Sequence, residues 1–193
     1  NDSCVVSGET EHIEDFEAEM LKTDITAIRL KTSHAFHSEM MDEILGEFRE
    51  TLNEMELSNS KIPFVSCMTG VPVTSTEIQS ADYWVSHLRE TVLFAKGLEF
   101  LVNQGFTTFV EIGSARTLGN FLKKNTAFKA DLNLGVFSVN RHSREKMADS
   151  YYFLKSLGEL WKRGETVLWA NYYADQQRNR ISLPGYAFDS ILF

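Results

Sequence analysis

The sequence predicts an α/β fold. Three observations predict it: short β-branched or apolar runs typical of strands, longer stretches with apolar residues at helical spacing, and the alternation of the two along the chain. The length of 193 residues predicts a single domain, or one domain and part of another. Hydrophobic residues make up 43% and charged residues 24% of the chain, values typical of a protein with a packed core.

Composition argues against several classes of protein. The 14 Phe, 6 Tyr and 3 Trp residues require burial and exclude a mainly disordered chain. The net charge of −8 argues against a general affinity for nucleic acid or anionic membranes. We expect no membrane helix, because no apolar run approaches the roughly 18–20 residues that a span needs. We expect no signal peptide, because no cationic start is followed by an apolar run. The 2 Cys do not form a disulfide framework, which favours a reducing cytoplasm.

The first part of the chain predicts a strand, a helix and a second strand. Residues 4–6 have the pattern of a strand end, and residues 25–30 form a short β-branched run. Between them, apolar residues follow helical spacing from residue 13 to residue 21, and Thr10 is a candidate N-cap. This order predicts one unit of βαβ size.

The next segment predicts a loop and a helix. Residues 32–37 have no apolar period. Ser38 can cap the helix that follows, whose apolar stripe consists of Met41, Ile44, Leu45, Phe48 and Leu52.

The remaining chain alternates between strands and helices. Strands are predicted over 63–67, 107–112 and 134–139, and helices from about 91 to Gly105, from 118 to 123, and from 147 to Gly164. From Thr166 onward the chain is aromatic but has no period. We expect this tail to cover a surface elsewhere.

Two histidines, His34 and His37, are the main candidates for chemistry. A structural loop histidine held by hydrogen bonds is one interpretation. A metal pair is another, although no third Cys or His ligand is close in sequence. The third is a general base for a Ser or Cys nucleophile. Spacing alone does not choose among these three.

Other candidates give weaker signals. Cys4 and Cys67 have the character of small apolar residues, with a reactive thiol as the alternative. Glu111 lies at a strand end, where ligand sites form in α/β proteins and where carboxylates also cap turns. The basic run 141–146 is typical of a solvated helix start, and a docking patch for an acidic partner is its alternative.

A family resemblance emerges from the histidine loop. Residues 32–38, Thr-Ser-His-Ala-Phe-His-Ser, followed by Met-Met-Asp at 40–42, resemble the H-A-F-H-S motif of acyltransferase domains in modular polyketide synthases. Further motifs of that family have counterparts in the same order at 5–8, 64–70, 82–90, 109–113, 138–141, 169 and 183–188. The resemblance therefore spans almost the whole chain.

The resemblance implies a domain organisation. Residues 1–31 would form the end of a ferredoxin-like small subdomain. Residues 32–165 would form the C-terminal part of a large, α/β-hydrolase-like acyltransferase subdomain. Residues 166–193 would form the irregular linker that follows the acyltransferase.

The resemblance also implies site residues. His37 would be the general base of a ping-pong transfer from malonyl-CoA, oriented through a backbone carbonyl that by motif position belongs to His87. His34 and Phe36 would select malonyl over methylmalonyl units. The nucleophilic serine of the family lies in a G-H-S-x-G elbow, and its carboxylate-binding arginine likewise lies upstream of these motifs. The 193 residues contain no G-x-S-x-G, so we expect this chain alone to transfer nothing.

Partners and cofactors follow from the same resemblance. No metal or redox cofactor is implied; malonyl-CoA and the phosphopantetheine arm of an acyl carrier protein would be substrates. Expected partners are the N-terminal half of the acyltransferase, the adjacent ketosynthase with its linker, and the carrier protein, with no nucleic acid and no membrane. The alternative function is a non-catalytic remnant that serves as a docking module in a synthase supplied by a separate acyltransferase.

Overall fold

The computed structural model describes residues 3–30, 32–113, 116–177, 179 and 181–189. The chain divides into two compact units, Asn1–Glu145 and Lys146–Phe193. The first unit contains α1 (Thr10–Met20), a 3₁₀ helix (Glu39–Ile44) that continues into α2 (Leu45–Asn53), α3 (Ser75–Ile78), α4 (Ala81–Arg89), α5 (Phe94–Asn103), β1 (Thr108–Glu111), α6 (Thr117–Lys124), a second 3₁₀ helix (Ala130–Leu132) and β2 (Gly135–Ser138). The second unit contains α7 (Asp149–Lys162) and α8 (Trp169–Tyr172).

The sheet of the first unit consists of two parallel strands. β1 pairs with β2 in a register that runs from Thr108 opposite Gly135 to Glu111 opposite Ser138. The helix α6 connects them, as expected, because parallel strands need a crossover connection. This arrangement confirms the α/β class and places the predicted strands at 107–112 and 134–139 within a few residues.

The core of the first unit lies between α5, α6 and the sheet. Leu98, Val102 and Leu122 are its buried centre, and Phe109 and Val136 from the strands pack against it. The helix α6 lies close to β2 at Gly119, where a Cβ atom would come within 2.8 Å of Cγ1 of Val136. Leu98 and Val102, four residues apart on one face of α5, therefore face the core together with Leu122 of α6.

Three predicted strands are absent. The described residues at 4–6, 25–30 and 63–67 form no named strand, and only an isolated antiparallel bridge joins Val65 to Pro72. A strand requires a paired neighbour, whereas β-branched composition favours only an extended backbone. The exposure of this segment agrees with the explanation, because Ile25 is 61% and Ile28 is 80% exposed.

Helix boundaries differ from prediction by a few residues. The helix α1 begins at Thr10 itself, and Glu9 takes the N-cap position. Ser38 is the N-cap as predicted, but the first turns after it form a 3₁₀ helix before the α-helix starts at Leu45. Three helices were not predicted from the sequence: α3, α4 and the short α8, which lies in the tail that was expected to be irregular.

None of the described helices is long and apolar enough to cross a membrane. The domain boundaries predicted at 31/32 and 165/166 stay predictions.

Candidate active site

The turn that carries His37 has an uncommon backbone. His37 has a φ of 61°, in the left-handed region that non-glycine residues seldom occupy. Ser38 fixes the turn on one side, because its hydroxyl donates to the Ala35 carbonyl at 2.6 Å and accepts from the Met40 N–H at 3.3 Å. Such strained residues occur often at functional sites, where the surroundings hold them.

The C-terminal end of α4 holds His37 from the other side. The last carbonyls of a helix have no intrahelical partner. The N–H of His37 donates to the Leu88 carbonyl at 3.2 Å, and Nδ1 of His37 lies 3.0 Å from the carbonyl oxygen of Glu90. Backbone and side chain of His37 are thus both bound to the last turn of α4 and the residue after it.

The carbonyl that orients His37 belongs to Glu90, so its assignment to His87 is wrong. The helix α4 ends at Arg89, and Glu90 is its C-cap with an extended ψ of 158°. That extended conformation directs the Glu90 carbonyl out of the helical ladder and toward the imidazole. A motif position identifies the segment but does not reveal the residue at which the helix ends.

The tautomer of His37 follows from this bond. A carbonyl oxygen can only accept, so neutral His37 carries its proton on Nδ1. Its Nε2 then keeps a lone pair that can accept a proton from another group.

His87 contributes its ring to the site. The ring centroids of His37 and His87 are 5.9 Å apart in an edge-to-face arrangement, and Tyr83 and Trp84 flank His87. Burial, and secondarily repulsion from a charged His37, lower the pKa of His87. His87 is therefore biased toward the neutral form beside the candidate base.

A cleft opens beside His37. Its volume is about 1430 Å³, and Phe36, His37, Ser38 and Arg89 are among the residues that line it. Phe36 is 47% exposed. His34 does not line the cleft; its ring lies 6.2 Å from that of Phe36, and its Nδ1 is 3.0 Å from the Ser33 hydroxyl.

Two of the weaker candidates, Glu111 and the basic run 141–146, make contacts of a structural kind. Glu111 accepts hydrogen bonds from the N–H groups of Leu118 at 3.1 Å and Gly119 at 2.9 Å, so it caps the first turn of α6. Both carboxylate oxygens of Glu145 accept from Nη2 of Arg116, at 2.6 and 2.8 Å. The pKa of Glu145 is lowered chiefly by the hydrogen bond from the His142 N–H.

The two cysteines and the metal hypothesis give no assembled site. Cys4 is exposed, and Cys67 is half-buried. Among the described residues, no group of three or more His, Cys, Asp or Glu side chains could hold a metal ion.

An ion pair beside His37 escaped the sequence analysis. Arg89 Nε lies 2.5 Å from Asp42 Oδ1 and joins the end of α4 to the 3₁₀ helix that follows His37. The two residues are 47 positions apart, so no local pattern marks them as partners. Both residues lie in segments that match family motifs, 40–42 and 82–90. Those matches were the available signal that the two positions belong to the site.

Comparisons with known proteins agree with this architecture. A family model described as "Acyl transferase domain" matches residues 1–147. The chain is 34% identical over 186 residues to the polyketide synthase GfsA of Streptomyces halstedii, an alignment that covers 96% of this chain and 2% of that protein.

Two solved structures resemble the chain in three dimensions. The acyl transferase domain of ZmaA has a TM-score of 0.79 and 30% identity, covering 92% of this chain and 40% of that one. The acyltransferase domain from the second module of the salinomycin polyketide synthase has a TM-score of 0.77 and 34% identity, covering 94% of this chain and 41% of that one. The chain thus spans less than half of each of these domains.

Proposed function

This chain belongs to the acyl transferase domain family, and from that premise we propose that His37 is the general base of an acyl transfer from malonyl-CoA to an acyl carrier protein. One observation carries the proposal: Nδ1 of His37 is bound to the Glu90 carbonyl at 3.0 Å, which leaves Nε2 free to accept a proton. The cleft beside His37 has room for the reacting groups.

The reaction has two half-steps. A serine from a part of the acyltransferase outside these residues transfers its proton to Nε2 of His37 and attacks the thioester carbonyl of malonyl-CoA. The tetrahedral intermediate collapses, the C–S bond breaks, and His37 returns the proton to the departing CoA thiol. His37 then deprotonates the phosphopantetheine thiol of the carrier protein, and the thiolate attacks the carbonyl of the serine ester. The bond between the acyl carbon and the serine oxygen breaks, and His37 returns the proton to that oxygen.

The Glu90 carbonyl supports the charge that His37 gains in each half-step. When Nε2 accepts a proton, the ring becomes cationic and its Nδ1–H···O bond becomes charge-assisted. Such bonds are roughly twice as strong as neutral ones. The bond to Glu90 therefore strengthens as the proton transfer proceeds.

We also propose that Phe36 restricts the extender unit to malonyl. Its side chain is partly exposed, lines the same cleft as His37 and immediately precedes it in the chain. A ring in that position would occupy the space that a 2-methyl branch needs. His34 contacts Phe36 from outside the cleft and would act by holding its ring.

The proposed partners follow from the sheet and from the relatives. Parallel sheets are normally covered on both faces, yet Val110 of β1 is 41% exposed and Ile112, just after β1, is 84% exposed. The N-terminal half of the acyltransferase would cover them. The relatives are polyketide synthases, which supports an adjacent ketosynthase with its linker and an acyl carrier protein as further partners.

Acylation by labelled malonyl-CoA tests the function. An acyltransferase domain that joins this sequence to a G-x-S-x-G elbow should form a serine ester, and His37→Ala should abolish most of its formation. Residues 1–193 alone should form none. A stable ester on this chain alone would contradict the proposal, and a joined domain that forms no ester would favour the non-catalytic docking module.

A further inference from the structure

Arg89 bridges the two segments that hold His37. Its Nε lies 2.5 Å from Asp42 Oδ1, and its Nη2 lies 3.7 Å from Glu39 Oε1. Both acidic residues lie on the 3₁₀ helix that begins directly after the His37 turn. The Arg89 side chain is 27% exposed and that of Asp42 is 55% exposed, so the pair is partly open to solvent and its importance lies in what it connects.

The hydrogen bonds of His37, the Arg89–Asp42 ion pair and the chain between them form a closed loop of contacts that includes His37. Arg89 stands between Leu88 and Glu90, whose carbonyls bind the N–H and Nδ1 of His37. From His37 the chain continues through Ser38 to Asp42, and the ion pair returns to Arg89. Removing Arg89 would open this loop of contacts and leave the hydrogen bonds of His37 and its ring contact with His87 to hold the turn against the end of α4.

The backbone conformation of His37 explains why this closed loop of contacts is needed. A residue at a φ of 61° relaxes toward other conformations unless its surroundings hold it. A displacement of about 1 Å at a catalytic group can cost about 10²-fold in rate. We propose that Arg89, through Asp42, is a positioning residue that holds His37 and the Glu90 carbonyl in register. This inference rests on the proposed role of His37 as the base.

The same helix carries a matched control. Arg49 of α2 forms an ion pair with Asp82 in the first turn of α4. This pair also ties α4 to the segment that follows His37, but at the opposite end of the helix. Arg49 is absent from the lining of the cleft, so Arg49→Ala removes a comparable ion pair without touching the His37 turn.

The experiment measures the single-turnover rate of serine acylation by labelled malonyl-CoA in the joined acyltransferase domain. Arg89→Ala and Asp42→Asn should each lower the rate by about 10- to 100-fold. Asp42 does not line the cleft, so Asp42→Asn should leave the Kd for malonyl-CoA unchanged. Arg89→Lys should recover part of the rate because it keeps the charge. Arg49→Ala should change the rate by less than about 3-fold, since exposed pairs contribute little.

A second background separates positioning from general destabilisation. If Arg89 acts through His37, Arg89→Ala should cause no further loss in a His37→Ala domain, so that the two effects are strongly non-additive. Equal further loss in that background would overturn the inference, as would equal effects of Arg89→Ala and Arg49→Ala on the rate. If Arg89→Ala does not fold, Asp42→Asn and Arg89→Lys decide by the same criteria.

The outcome also distinguishes this inference from the proposed function. A His37→Ala domain that acylates at the parent rate would refute the function itself. A His37→Ala domain that is inactive, together with an Arg89→Ala domain as fast as the parent, would refute the role of Arg89 alone.

Discussion

The Nδ1 atom of His37 lies 3.0 Å from the carbonyl oxygen of Glu90, the C-cap residue that follows α4. No carboxylate takes part in this hydrogen bond. The ring is therefore oriented by the backbone, and a side-chain substitution at Glu90 leaves the acceptor in place.

The first prediction concerns the tautomer of His37. Because the Glu90 carbonyl can only accept, neutral His37 should carry its proton on Nδ1. Nitrogen-15 NMR of the histidine rings in the joined domain should assign the Nδ1–H form to His37. A His37→Gln domain identifies the resonance, and an Nε2–H form would contradict the proposed proton acceptor.

The second prediction separates the two loop histidines. His37→Ala should lower the acylation rate by roughly 10²–10⁴-fold, the usual contribution of a positioned base. His34→Ala should lower it by less than about 10-fold, because His34 lies outside the cleft. His37→Asn is the better-matched variant, since Asn tolerates a positive φ.

Two results would contradict these roles. A larger loss of rate from His34→Ala than from His37→Ala would reverse the assignment. Equal losses accompanied by release of bound zinc would instead support a metal pair.

The third prediction concerns the extender unit. His34→Tyr combined with Phe36→Ser should shift the ratio of methylmalonyl to malonyl transfer by roughly 5- to 150-fold, equivalent to about 1–3 kcal/mol of relieved overpacking. Competition between the two CoA thioesters measures the ratio. Phe106→Ser is the matched control, because Phe106 is another exposed phenylalanine and does not line the cleft. An unchanged ratio, or a parent domain that prefers methylmalonyl, would show that Phe36 does not select the substrate.

The fourth prediction concerns pH and His87. Burial lowers the pKa of His87 below its ordinary 6.5, so at acidic pH the unfolded chain binds this proton more readily than the folded chain does. The resulting loss of folded-state stability is absent when the pH is well above the ordinary pKa. It grows as the pH falls from the ordinary pKa toward the lower pKa of the folded state. Between about pH 7.5 and 5.5, His87→Gln should therefore lose less thermal stability than the parent. A variant whose melting temperature falls as steeply as that of the parent would refute this.

The fifth prediction concerns Glu111. Glu111→Ala removes both acceptors from the first turn of α6 and should lower the free energy of unfolding by about 1–2 kcal/mol. Glu111→Gln, which keeps one acceptor oxygen, should cost less. Glu19→Ala breaks an exposed pair with Lys22 and should cost less than about 0.5 kcal/mol. Urea denaturation of the joined domain measures all three, and equal effects of Glu111→Ala and Glu19→Ala would contradict the capping role.

The sequence patterns correctly predicted those elements whose packing partners lie within this chain. The faces of α5 and α6 follow helical spacing, and β1 and β2 pair with each other, so local pattern and final structure agree. The predicted strands at 4–6 and 25–30 did not form, because a β-branched composition favours an extended backbone but does not provide a neighbouring strand to pair with.

The site was predictable only in part for a related reason. The motif identified the histidine loop and the helix segment that faces it. The acceptor for Nδ1 depends on where α4 ends, and Glu90 takes that role only because its backbone turns extended. The Arg89–Asp42 pair joins positions 47 residues apart, and a contact of that range is a property of the folded chain.

The pairing of β1 with β2 bears on the order in which this chain gains structure. The strands meet through a connection that contains α6, and Leu98, Val102 and Leu122 pack close to them in sequence as well as in space. Partners in this parallel pair, such as Thr108 and Gly135, are far apart in sequence, and the loop-closure entropy that opposes such contacts makes parallel pairing slow to form. Amide protons in α5 and α6, whose hydrogen bonds are local, should therefore gain protection from exchange during refolding before those of β1 and β2.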